Sequence, residues 1–133
     1  MLKFVVGVVL IGHGIGHSMG ILGVFKIAQV NPAWQGDSWA LTNVAGDTVT
    51  QLVGAVLWSV AMIGFIALGL VVFGWLPAGW WMPLAIVSSM ASLLGVALFP
   101  MAFPIFSTVG AVVVDLAVLY AVWSGWLPSD LPA

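Results

Sequence analysis

Phe4-Val5-Val6-Gly7-Val8-Val9-Leu10-Ile11-Gly12-His13-Gly14-Ile15-Gly16-His17-Ser18-Met19-Gly20-Ile21-Leu22-Gly23-Val24-Phe25 is an apolar run bracketed by Lys3 and Lys26. A bilayer hydrocarbon core about 30 Å thick needs about 20 apolar residues in helical form. The run therefore predicts a membrane-spanning helix. Its centre is unusual, because it holds both histidines of the chain, His13 and His17, together with Gly12, Gly14, Gly16 and Gly20. A lipid-facing helix has no ordinary use for imidazoles. Lys3 would suit the n-region of a signal peptide, but the apolar part is longer than the roughly 7–15 residues of such a segment, and no Ala-x-Ala site follows.

The composition agrees with a membrane solvent. Of 133 residues, 63% are hydrophobic and 5% charged, with a mean hydropathy of +1.25. A soluble domain carries about 25% charged residues, and a fold of this size leaves too much surface exposed to hide so much apolar area. Two basic residues and a net charge of −2 cannot make a phosphate-binding footprint, which excludes nucleic acid as a partner. The absence of cysteine excludes disulfides, thiolate metal sites and cysteine nucleophiles. Several of the eight tryptophans flank apolar runs, where indole favours the membrane interface.

Three more spans follow. Residues 28–48 form the one polar stretch, with Asn31-Pro32 as turn chemistry. Asp37 and Ser38 suit the cap of a short interfacial helix anchored by Trp39, and Asp47 or Thr48 the N-cap of a second span over 49–73. Gly74 to Pro83 is a tryptophan-rich turn, and Pro83 suits the first turn of a third span over 83–99. Pro100 and Pro104 frame a second turn, and the fourth span covers about 105–126, ahead of a short tail over 129–133. The expectation is one all-α domain over 1–133, an integral membrane four-helix bundle of antiparallel, up-down topology, because short connections join antiparallel neighbours. Lys3 and Lys26 lie on opposite sides, so basic residues barely set the orientation; the amino terminus favours termini in the cytoplasm.

Helical periodicity then assigns faces. Gly12, Gly16, Gly20 and Gly23 share one strip of the first span, the spacing that lets another backbone approach. His13 and His17 stack one turn apart beside it, while Val8, Ile11, Ile15 and Leu22 point to lipid. The second span sets Gln51, Gly54, Trp58 and Met62 on one face, and the third Ser88, Ser92 and Gly95. The fourth carries Asp115, with Thr108 on the same face. A carboxylate at the bilayer centre costs roughly 2.5–3.5 kcal/mol on insertion scales and is a functional-site candidate by default. His13 lies ten residues past Lys3, about 15 Å along a helix, near the midplane. Asp115 and Ser92 fall near the middle of their own spans. His13, Ser92 and Asp115 are therefore expected at one level, with His17 a turn away.

Two readings of that layer stay open. A His–Asp pair can simply join two helices, at about 0.6 kcal/mol per polar contact. Alternatively the layer is a ligand site, with His13, His17, Asp115, Ser92, Trp58 and Thr108 as the polar core. His13, His17 and Asp115 are suitable ligands for a transition metal. A haem would need one histidine and a further ligand such as Met62, or histidines from two protomers, and proton relay suits histidine as well. No His-Glu-x-x-His element is present, since Gly14 occupies the glutamate position, and Gly12-x-Gly14-x-Gly16 follows no strand.

In its length, four spans, glycine-rich first span and long first connection ending in Asp47-Thr48-Val49-Thr50-Gln51, the chain resembles the small DoxX-like membrane proteins of bacteria and archaea. The resemblance implies a component of a prokaryotic cytoplasmic membrane, tied to redox or sulfur metabolism, often a subunit of a larger assembly. The His-Gly-Ile-Gly-His element does not map onto that family. Two functions follow as expectations. The first is a buried midplane site for a metal, a cofactor or a small hydrophobic ligand. The second is a non-catalytic accessory subunit, partnered in the bilayer by its own copies or by other membrane subunits. A ligand site predicts an open pocket lined by the midplane layer; an accessory subunit predicts that layer tightly packed.

Overall fold

The computed structural model describes residues 1–130 and is all-helical, with no strand among them; residues 131–133 of the expected tail lie outside that range. Four helical runs are long and apolar enough to cross a membrane: Leu2–Val24, Thr42–Phe73, Ala78–Leu98 and Ile105–Trp123. The first comprises α1 (Leu2–Gly16) and α2 (Ser18–Val24). Their junction is His17, whose N–H donates to the Gly14 carbonyl at 3.1 Å. That tightened, i→i−3 closure marks a local overwinding. Next come α3 (Thr42–Phe73), α4 (Trp81–Leu98) and α5 (Ile105–Trp123). The third run starts at Ala78, ahead of the expected 83, and the fourth ends at Trp123, ahead of the expected 126.

The second run departs more. Helical structure begins at Thr42, and Gly46, at φ 82° and ψ 169°, interrupts it. Only glycine adopts that conformation without strain, so the continuous span starts just beyond it, near the expected boundary. At its other end Gly74 takes a left-handed conformation and the Trp75 N–H reaches back to the Leu70 carbonyl at 2.9 Å, a glycine-terminated helix end.

α3 is the axis of the molecule. It packs on α1 and α2 along one side and on α4 along another, while α5 packs on α4 and stands off from α1. Small residues set the spacing. A Cβ added to Gly14 would stand 2.8 Å from the Met62 carbonyl oxygen, and one on Gly64 2.5 Å from Ser88 Cβ. The glycine strip expected on the first span is corrected here. Gly20 and Gly23 do pack, against Trp58 and Trp34, but a Cβ on Gly12 or Gly16 would meet nothing within 4 Å. Gly7 and Gly14 carry the close approach to α3 instead. Ile11, expected at lipid, is half-buried and packs over Gly69. The third-span face is as read: Ser88, Ser92 and Gly95 are all buried.

The core falls into two clusters. One joins Leu10, Ala61, Phe65, Leu68, Val72 and Ala85. The other joins Val24, Trp34, Trp58, Phe99 and Ala102 under the loop that follows α2. That loop does not form the short interfacial helix expected at Asp37-Ser38. Its side chains close the C-terminal end of α4, where the last carbonyls of any helix lack partners. Trp39 Nε1 donates to the Ala97 carbonyl at 2.8 Å, Ser38 Oγ to Leu98 at 2.7 Å, and Asn31 Nδ2 to the Met101 carbonyl at 2.8 Å. Trp34 is buried beneath, its Nε1 donating to the Asp37 carbonyl.

Candidate functional site

His13 stands on the face of α1 that turns past α3 towards α5. Its Nε2 lies 3.0 Å from Asp115 Oδ1, and the second carboxyl oxygen, Oδ2, accepts a 2.6 Å bond from Ser92 Oγ. Asp115 is wholly buried. One acid thus ties α1, α4 and α5 together with both of its oxygens occupied. The layer expected from helix rise is present as the contact His13–Asp115–Ser92. Its order matters chemically. The hydroxyl gives its proton to the carboxylate rather than to an imidazole, so this is not a serine activated by histidine and oriented by an acid.

His17 lies one turn on. Its ring centroid is 4.7 Å from that of His13, edge to face, and it stacks on Trp58 at 5.5 Å with the planes 17° apart. Phe65 packs against both imidazoles, at 4.4 Å from His13. His17 is only 3% exposed, yet its Nε2 has no hydrogen-bond partner among the described residues. A buried donor or acceptor left unpaired costs about 1–3 kcal/mol. Trp58 is fully buried with its indole nitrogen also unpaired, so it enters the site as an aromatic wall and not as a polar group.

Two sequence expectations are not met by this geometry. Thr108 does not join the layer; its Oγ1 bonds the Phe103 and Pro104 carbonyls at the start of its own helix. Seven residues place it on the same face as Asp115 but about 10 Å away along the axis. His13, His17 and Asp115 do not form a three-ligand metal set: among the described residues no group of three such side chains is placed to hold an ion. His13 Nε2 is committed to Asp115, and the His17 ring lies flat against Trp58.

The seam where α5 stands off from α1 is hollow. A cavity of about 470 Å³ is lined by His13, Gly16 and His17 from the first run and by Ser107, Gly110 and Val114 from α5. Farther along the seam, a second hollow of about 300 Å³ runs between Val5, Val9 and Leu10 on one side and Val114, Val118 and Ala121 on the other. Val114 borders both, one residue from Asp115. Gly16 and Gly110, one in each wall of the larger cavity, have open space where a Cβ would sit. These glycines make room and do not serve packing. Gly110 and Ser107 were not singled out in the sequence; the signal present was the run of small residues at 107, 110 and 111, with the spacing of one helix face.

Among the described residues, fold and site together define an all-helical protein of four membrane-length apolar helices with a buried acid between a histidine and a serine, and a cavity beside it. Compared with protein-family models, curated proteins and solved structures, the chain matches none.

Proposed function

We propose that the chain is a four-span, up-down integral membrane protein that binds a small hydrophobic ligand in the seam between its first and last spans. Exposed Phe4, Ile63, Leu94, Phe106, Val113 and Trp123 are distributed over all four helices, a surface suited to lipid and not to water. The pairings Gly7 with Phe73, Gly14 with Met62 and Gly20 with Trp58 run in opposite chain directions, which supports antiparallel neighbours.

The observation that carries the ligand reading is the 470 Å³ cavity bordered by both histidines. Ligand sites are mostly apolar clefts of roughly 300–1,000 Å³ with a few placed polar groups. Asp115 and Ser92 are themselves closed off, and the open volume lies beside them, at His13 and His17. His13 lines the cavity, and its bond to Asp115, itself bonded by Ser92, fixes that part of the wall.

Native mass spectrometry of the protein released from mild detergent tests this. The wild-type chain is expected to retain an apolar small molecule, and Gly110→Leu, which fills the cavity, to lose it at an unchanged melting temperature. Equal retention by both proteins would place the adduct elsewhere and overturn the reading.

A further inference from the structure

Among the described residues the larger cavity is bordered, besides His13, by two polar side chains, the Ser107 hydroxyl and the His17 imidazole, and of these two only His17 is buried. His17 lines it, is nine-tenths and more buried, and has an Nε2 without a partner among the described residues, an atom that in this rotamer has almost no free surface of its own. His13, by contrast, spends its Nε2 on Asp115. The remaining lining is mostly apolar: Met19, Val30, Val96 and Val114 stand around it beside Phe103. Gly16 and Gly110 leave bare backbone in facing helices, and Phe103 closes another side. Phe103 and His17 each pack on Trp58, at 5.4 Å and 5.5 Å between centroids. Phe103 and His17 set aromatic rings in its lining, and Gly16 and Gly110 leave open space in facing helices, a shape that accommodates a flat ring. Hydrocarbon alone would leave the imidazole nitrogen unpaired, and the imidazole's broad χ2 lets the ring turn to present it.

We infer that this cavity takes a flat ring bearing an oxygen, a phenol-like or ring-carbonyl amphiphile, whose oxygen pairs with His17 Nε2. The inference rests on the ligand-binding reading above and names its ligand class and its anchor. His17 is the specificity-determining group: it separates an oxygenated ring from a plain hydrocarbon or an acyl chain. His13, Asp115 and Ser92 hold the wall and do not touch the oxygen.

The chain has two histidines, so protein labelled with ¹⁵N-histidine gives a spectrum of only two imidazoles, assigned by the signal lost in His17→Phe. The probes are naphthalene and 1-naphthol, the latter able to donate and accept, so the imidazole tautomer does not decide the result. Both are expected to shift the amide resonances of Gly16 and Gly110. Only 1-naphthol is expected to shift a His17 ring nitrogen and to bind more tightly than naphthalene, by about five-fold, the effect of one net hydrogen bond. His17→Phe keeps an aromatic ring and removes the nitrogen, so that advantage is expected to vanish while naphthalene still binds. If 1-naphthol moves the glycine amides but leaves His17 untouched, or keeps its advantage in His17→Phe, the anchor is wrong and the cavity stands. If Gly110→Leu binds both probes like wild type, the cavity reading itself fails.

Discussion

Asp115 has both oxygens engaged: His13 takes one and Ser92 the other, from two different helices. In a dry interior such a contact is strong only while every member is present, because a deserted partner keeps its desolvation cost. Asp115→Asn and His13→Gln, singly and together, should therefore be non-additive, with a coupling of about 0.5–2 kcal/mol by unfolding in detergent. Simple additivity would mean that the two do not interact. The combined replacement His13→Leu, Asp115→Leu and Ser92→Ala removes all three members. It should fold, since paired polar groups can give way to apolar ones of similar size, yet retain less of the cavity's ligand because that wall is rebuilt. This layer was legible before the fold because depth follows from rise per residue and three polar side chains fell at one level. The same arithmetic, applied to Thr108 only as a face and not as a height, placed it wrongly. His17 was legible as a neighbour of His13 but not as the nitrogen left unpaired, which depends on where the Trp58 ring lies.

At the level of the helix, α1 carries glycines on two adjacent strips, and a helical wheel cannot tell which strip meets a neighbour. The break at His17 turns α2 relative to α1, so Gly20 and Gly23 pack while Gly12 and Gly16, nominally aligned with them, do not. Gly14→Ala is expected to cost about 1–3 kcal/mol, since the added methyl meets the backbone of α3 and cannot be relieved by a rotamer change. Gly16→Leu should leave the melting temperature unchanged and close the cavity. A large loss of stability in Gly16→Leu with none in Gly14→Ala would invert this assignment. The loop ahead of α3 was the least legible element. Its polar residues read as surface, whereas Ser38, Trp39 and Asn31 satisfy carbonyls at and beyond the end of α4, 58–70 residues away in sequence. No local pattern reports a partner that distant.

At the scale of the whole molecule, the helices form a row bent around α3, open along the α1–α5 seam, with His13 and Asp115 as its polar clasp. The two ends of the helices along their axes are marked by aromatic and polar contacts. Phe4 meets Phe73, and Trp81 meets Trp126, at one end. Trp34 meets Phe99, and Asn31 bonds the Met101 carbonyl, at the other. If these ends are the two membrane faces, single cysteines placed in this cysteine-free chain must divide between them. Lys3→Cys, Gly79→Cys and Ser129→Cys should react with an impermeant maleimide from one side of a sealed vesicle, and Gln35→Cys and Met101→Cys only from the other. All five native residues except Lys3 are exposed, and Lys3 is half-buried at the very start of α1, so failure to label would not come from packing. Labelling of Lys3→Cys and Ser129→Cys from opposite sides would require an odd number of crossings. One of the four apolar helices would then lie along the membrane instead of through it, and α5, the least buried of them, would be the first to reassign. That outcome would also dissolve the seam, because the cavity exists only while α5 stands beside α1 across the bilayer.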